Sequence, residues 1–337
     1  MKAAIYRKNG NPSDVIELID ELEQEPKPNE VIISVEATPI HLGDLYNMEG
    51  IEGFKFSLPM IPGIEGVGRI IKLGTSVKGF KNNDRVLFLS SAHVEGYTSN
   101  QQGTWRDQIK LPSDILIPCP EGDPAQFANI VNPATAYVYL YDLIKPKKNE
   151  WIIQNAANSN VGRYIIKIAN RYGCRTINVV RRKELINELK DLGGDEVILD
   201  GDGLHERVQK ATNGAKIRFA LDALAGDAPA RLAQCLEHGG TVFNYGLVSK
   251  NPCKMPTWLM LNRDIRLQGF FAGKQLLEKT LEGKKLLIKE LGEIIGKGDM
   301  PSKIAKTYPL TKIKEAITHA ANSGSDRDGK IILLPNT

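Results

Sequence analysis

The spacing of apolar residues changes character near residue 128. Before it, short β segments are separated by Gly, Pro and Asn: Glu30 to Glu36 (EVIISVE), Gly66 to Leu73 (GVGRIIKL) and Asp84 to Leu89 (DRVLFL). Many short strands with turn signals between them predict a β-barrel-like domain. Met1 to Tyr6 runs straight into a strand-like alternation. After residue 128, strands and helices alternate. Trp151 to Asn155 reads as a strand. Val161, Tyr164, Ile165, Ile168, Ala169 and Tyr172 then repeat at the spacing of a helix with one buried face. Thr176 to Val180 is strand-like, Lys183 to Leu192 helical and Glu196 to Leu199 strand-like. The rhythm continues through Arg218 to Leu224, a helix near Ala228 to Leu236, and Thr241 to Tyr245. This pattern predicts βαβ units, a doubly wound parallel sheet and right-handed crossovers. From about residue 272 a Lys-rich amphipathic helix, Lys274 to Lys297, precedes a last strand, Gly329 to Leu334. Its lysines are expected to form a solvated face.

At 337 residues the chain suits two domains of roughly 100–200 residues each. Apolar residues make up 42% and charged residues 25%, an ordinary globular balance. No apolar run approaches the ~20 residues of a membrane span, and the N-terminus shows neither a signal-peptide core nor an Arg/Ser-rich presequence. The expectation is a cytoplasmic protein without membrane contact. A net charge of +4 suits an anionic ligand, and the absence of a basic–aromatic stripe argues against nucleic acid. Cys119, Cys174, Cys235 and Cys253 lie far apart, so neither a zinc knuckle nor a disulfide framework is expected.

The first βα turn of the second region reads Asn155-Ala156-Ala157-Asn158-Ser159-Asn160-Val161-Gly162. Of the glycines of a dinucleotide fingerprint only Gly162 is present, at the position that allows close helix–strand packing. Context supplies what the motif lacks: a strand before, a helix after, and a second strand ending at Val180, within about 30 residues. Backbone amides at the helix start would hold a pyrophosphate, helped by Asn158, Ser159, Asn160 and Val161. After the second strand, where an acid would bind the ribose of NAD, stand Arg181 and Arg182. An Arg there accommodates a 2′-phosphate, so NADPH is the expected cofactor.

Beside that turn and Asn178-Val179-Val180-Arg181 stand Gly103-Thr104-Trp105, Val131-Asn132-Pro133-Ala134-Thr135-Ala136-Tyr137 and Leu267-Gln268-Gly269-Phe270-Phe271. Together these segments resemble the zinc-free branch of the medium-chain dehydrogenase/reductase superfamily. Within it the chain is most similar to the trans-2-enoyl-thioester reductases, and next to the NADPH:quinone oxidoreductases. The resemblance implies a discontinuous GroES-like substrate domain, about 1–127 plus 272–337, around a Rossmann domain, about 128–271, with the active site in the cleft between them. It places Asn132, Thr135, Tyr245 and Gly246 at the cofactor, and Phe270 and Phe271 at cofactor and acyl pocket. Trp105 and Tyr46 fall at the substrate. It also implies a homodimer joined through the edges of the two Rossmann sheets.

The stretch Ala37 to Asp44 matches the place where zinc alcohol dehydrogenases carry their first metal cysteine, here His41. The second and third ligand positions are Ile64 and Val131. One possible ligand of three cannot hold a catalytic zinc, and the lobe that would hold a structural zinc, Ser91 to Gly103, has no cysteine. No metal is expected. The enoyl reductases donate a proton from a Tyr in a Gln-Gly-x-Tyr stretch. Here that stretch reads Glu49-Gly50-Ile51-Glu52, so Glu52 stands in its place, and Tyr46 lies six residues earlier. The expected activity is NADPH-dependent reduction of an activated C=C bond in an enoyl thioester. A quinone or enone reductase is the alternative, and an NADPH-binding protein without catalysis the third.

Overall fold

The computed structural model describes residues 1–51, 57–90, 103–299, 302–322 and 327–337. The chain divides into two compact units, Met1–Val131 with Leu277–Thr337, and Asn132–Leu276. It first lays down β1 (Lys2–Tyr6) and β2 (Ile16–Asp20) as an antiparallel pair. The strands β3 (Glu30–Pro39), β4 (Glu65–Leu73), β5 (Arg85–Leu89), β6 (Gln108–Pro112) and β7 (Ile117–Pro118) follow. The second unit carries β8 (Trp151–Gln154), β9 (Arg175–Val180), β10 (Glu196–Leu199), β11 (Ile217–Asp222), β12 (Thr241–Asn244) and β13 (Arg266–Gly269). The chain then returns to the first unit for β14 (Ile304–Pro309) and β15 (Lys330–Leu334).

In the first unit a seven-stranded sheet runs β14-β15-β3-β4-β5-β7, with β6 also on β3. Val31, Ile33 and Val35 of β3 close a core against Ile70, Val86, Phe88 and Ile109. The expected alternation at the N-terminus is corrected here, because Ala3, Ala4, Ile5 and Tyr6 are all buried. β1 has β2 along one side and bridges from Ala3 to Arg106 and from Tyr6 to Met60 besides. Among the helices of this unit that periodicity did not predict are Leu42–Glu49 and Ile313–Ala321. The single Lys-rich helix expected over 274–297 is two, Ala272–Glu278 and Leu281–Gly296. Thr280 makes the break, since its hydroxyl accepts the Gly283 amide and caps a new helix start.

In the second unit the strand order is β10-β9-β8-β11-β12-β13, with all five pairings parallel. The order reverses at β8, which makes its carboxyl end the topological switch point where doubly wound folds bind ligands. Ile153, Ile177, Val179, Ile198, Ala220 and Val242 fill the sheet's core, the near-continuous apolar strands that helices on both faces require. The helix Val131–Tyr137 runs on into a π-helical turn, Val138–Ile144, closed by Lys145 at φ 43°. The boundaries of the expected βαβ elements shift by one or two residues, and the helix after Arg182 starts at Leu185.

Candidate active site

The turn after β8 leads tightly into a helix with little glycine. Ala156 sits at φ 47°, a left-handed conformation that glycine normally supplies and that costs an alanine about 1–2 kcal/mol. Ser159 caps the helix Asn160–Arg171, its hydroxyl accepting the Gly162 amide at 3.1 Å. Gly162 is required by space: a Cβ there would lie 2.6 Å from the Ala157 carbonyl oxygen and 2.7 Å from its Cα. Arg163 then braces the turn from outside, donating to the Asn158 carbonyl at 3.0 Å and to Glu188 at 2.6 Å. First-turn amides of a helix have no intrahelical acceptor, so this start presents the donor set that suits a pyrophosphate. Of the expected side chains, Ser159 spends its hydroxyl on the cap, while Asn158, Asn160 and Val161 stand around the same turn.

A residue that pattern reading missed holds this turn to its neighbours. Asp222, at the end of β11, is completely buried. Its carboxylate accepts from the Asn155 amide group and from Asn244 at 2.6 Å. It also accepts from the backbone of Leu224 and Ala225 at 3.2 and 3.0 Å. Asn155 returns a contact by accepting the Ala223 amide at 2.8 Å, and Asn244 donates to the Gly246 carbonyl at 2.9 Å. One carboxylate thus ties together the loops after β8, β11 and β12. Gly246 fits only as glycine, because a Cβ would meet the Ala223 oxygen at 2.5 Å. Tyr245 beside it has its hydroxyl pushed up by burial and then by the Asp222 charge. Its ring packs edge-on to Tyr139, 5.6 Å between centroids. Tyr139 also packs on Phe270, at 4.3 Å, so Phe270 is part of the interior while Phe271 is 64% exposed. Asn132 and Thr135 stand on the helix Val131–Tyr137, with Thr135 buried.

Arg181 is exposed directly after β9, and Arg182 lies 3.7 Å from Glu184. Both precede the helix Leu185–Asp191, which relieves them of an unfavourable place within a helix N-terminus.

The first unit holds a second cluster of charged groups, with Asp44 and Glu65 buried and His41 and Lys330 half-buried. His41 stands at the start of the helix Leu42–Glu49 with both ring nitrogens engaged. Nε2 lies 2.6 Å from Glu65 Oε1, and Nδ1 lies 2.8 Å from Lys330 Nζ. Because an ammonium can only donate, Nδ1 accepts and Nε2–H donates to Glu65. The other Glu65 oxygen accepts the backbone amides of Ile130 and Val131, each at 2.7 Å. Asp44 accepts the His41 amide at 2.8 Å and that of Gly63 at 3.3 Å. Burial pushes the Glu65 carboxyl up to about 8 and draws the Lys330 ammonium down to about 8, each opposed by the other's charge. Ile64 offers no donor atom in its side chain, and neither does Val131. No group of three His, Cys, Asp or Glu side chains suited to a metal occurs among the described residues.

Tyr46, on the same helix as Asp44, is buried. Burial raises its hydroxyl, the Arg327 charge pulls the other way, and Glu49 adds to the rise. Trp105 was expected at the substrate, but the structure encloses it completely, its indole N–H donating to the Pro39 carbonyl at 3.2 Å. It therefore packs beneath the surface of this unit. Glu52 and residues 91–102 of the lobe without cysteines lie outside the described residues.

Comparison with known proteins fits this geometry. Residues 27–121 match the alcohol dehydrogenase GroES-like domain, and residues 160–285 match the domain called zinc-binding dehydrogenase. The chain is 33% identical over 304 residues to the mitochondrial enoyl-[acyl-carrier-protein] reductase of Caenorhabditis elegans, covering 88% of this chain and 85% of that protein. It superposes on the Etr1p/NADP/crotonyl-CoA complex with a TM-score of 0.82 at 26% identity, covering 99% of each chain. The Escherichia coli quinone oxidoreductase complexed with NADPH shares the fold, with a TM-score of 0.85 at 21% identity over 99% of this chain and 100% of that one. Fold and site define an oxidoreductase of the medium-chain dehydrogenase/reductase superfamily. Within it the chain belongs to the family of the enoyl-[acyl-carrier-protein] reductases.

Proposed function

We propose that this protein is an NADPH-dependent reductase of enoyl thioesters, of CoA or acyl carrier protein, working without metal. The observation that carries the cofactor half of this reading is the pairing of a helix start at the carboxyl end of β8 with an exposed Arg181 at the end of β9. The substrate half rests on the named relatives. Bound NADPH supplies the hydride. The chain's own part is to seat the pyrophosphate on the first turn of the helix Asn160–Arg171 and to read the 2′-phosphate with Arg181, supported by Arg182. Asn132, Thr135, Tyr245 and Gly246 serve the nicotinamide end. Tyr46 is the proposed proton donor, since a hydroxyl raised by burial stays protonated at neutral pH. The seven-stranded sheet serves as the barrel of a GroES-like domain, and two chains join through β13, the end strand of the parallel sheet.

NADPH oxidation followed with crotonyl-CoA, a long-chain enoyl-CoA and 9,10-phenanthrenequinone tests this directly. Turnover of an enoyl-CoA well above that of the quinone is the expected result, and Tyr46→Phe should lower its kcat/KM by about a hundredfold. A second reading, a quinone or enone reductase, is favoured by one observation: Glu52 stands where the enoyl reductases place their tyrosine. Hydride transfer to a quinone needs little acid help, and quinone turnover alone would establish that reading. Binding of NADPH with turnover of none of the three would leave the non-catalytic role.

A further inference from the structure

An acid stands beside the arginines after all, and it comes from the next strand. β10 pairs in parallel with β9, Leu199 opposite Val180, and the Asp200 amide donates to the Val180 carbonyl at 2.8 Å. Asp200 follows the last paired residue of β10 as Arg181 follows that of β9, and the Arg181 charge reaches its carboxyl. Its carboxylate is nonetheless turned to Arg231 on the helix Ala228–Cys235. Nε donates to Oδ1 at 2.8 Å and Nη2 to Oδ2 at 2.7 Å, a two-pronged pair. The Gly201 amide adds a third donor at 2.8 Å. Arg207 fastens the loop itself, donating to the carbonyls of Leu199, Gly201 and Asp202 at 3.0, 3.2 and 2.7 Å. Burial alone would raise the Asp200 carboxyl. The Arg231 fork, the Gly201 amide and the charges of Arg231 and Arg181 outweigh it and hold the group ionised.

We propose that Arg231 is a specificity-determining residue for the 2′-phosphate of the adenosine nucleotide. By holding Asp200 in a bidentate pair, it keeps that carboxylate from capturing Arg181, and so leaves the Arg181 guanidinium to the phosphate. The inference rests on the reading of Arg181 as the phosphate contact. An unheld carboxylate one strand away would act twice against NADPH, repelling the phosphate dianion and competing for its partner. NADH, with a 2′-hydroxyl, would lose neither contact.

Titration of NADPH and NADH into wild type, Arg231→Gln and the double variant Asp200→Asn/Arg231→Gln tests this. Arg231→Gln should weaken NADPH about tenfold and leave NADH within about twofold, tenfold being ~1.4 kcal/mol. The double variant has the net charge of wild type and no carboxylate to release, so NADPH should return to within about threefold of wild type. The NADH titration doubles as the check that the sheet and its loops are intact. Unchanged NADPH affinity in Arg231→Gln overturns the inference. So do equal losses for both nucleotides, or a double variant that fails to recover. A wild-type protein that binds NADH as tightly as NADPH overturns instead the reading of Arg181 beneath it, and the wild-type titration alone shows that.

Discussion

Two residues illustrate how differently a charge works at the surface and inside. Arg181 is exposed, so its value is set by what arrives from solution. A hydrogen bond to a charged group is worth about 1.5–3 kcal/mol, so Arg181→Ala should weaken NADPH roughly ten- to a hundredfold and leave NADH nearly unchanged. Fluorescence titration of both nucleotides reads the difference; equal losses would mean that the residue only shapes its loop. Lys330 is the opposite case, since its partners belong to the fold itself, His41 by contact and Glu65 and Asp44 by charge. Replacing it with Met removes the donor to His41 Nδ1 and the positive charge that opposes the burial of the Glu65 carboxylate. Breaking a buried pair in this way costs about 3–5 kcal/mol. At about 2–4 °C per kcal/mol, a melting temperature roughly 6–20 °C lower is expected for Lys330→Met. Lys330→Met/Glu65→Gln should regain a large part, because the second change removes the stranded charge. A double variant no more stable than the single one would show that the ion pair is not what the cluster contributes.

Elements were legible wherever their signal was local. The βαβ rhythm from Trp151 to Asn244 could be read because a helix face and a strand declare themselves within a dozen residues. Gly162 could be read too, as the one fingerprint position where even a methyl group strikes backbone. Gly162→Ala should therefore push the helix Asn160–Arg171 off β8 and weaken NADPH and NADH alike, at least tenfold. That common loss contrasts with the selective one at Arg181, and calorimetry with both nucleotides separates them; unchanged affinity would show that the turn accommodates the methyl. What could not be read was everything made by chain returning from far away. Lys330 meets His41 across 289 positions of sequence. Asp222 meets Asn155 across 67, and Arg231 meets Asp200 across 31. The left-handed Ala156 hid the fingerprint for a different reason, because an alanine gives no hint that the fold will hold it at φ 47°. The break at Thr280 was visible in retrospect: a Thr followed three residues later by glycine, inside an otherwise continuous Lys-rich run.

At the scale of the whole molecule, the parallel sheet ends on β13, which among the described residues pairs with β12 alone. Its lead-in helix, Thr257–Arg263, exposes Trp258, Met260 and Leu261, the last at 77%. Exposed apolar side chains on the helix that leads into an end strand are the kind of surface a sheet-extending partner covers. If two chains join there, Trp258→Glu/Leu261→Glu should convert a dimer to a monomer in light scattering; a dimer that survives both changes would place the interface elsewhere. The same sheet carries a consequence along the carboxyl ends of its strands. Because Asp222 is bonded at once to the loops after β8, β11 and β12, those loops behave as one mechanical body. A nucleotide pressing on the first of them will be registered at the amides of Leu224 and Ala225, whose hydrogens should exchange with solvent more slowly once the cofactor is in place. Asp222→Asn, which weakens these bonds, should then speed the release of the spent nucleotide, read by stopped-flow fluorescence; an unchanged rate would show that the three loops loosen separately.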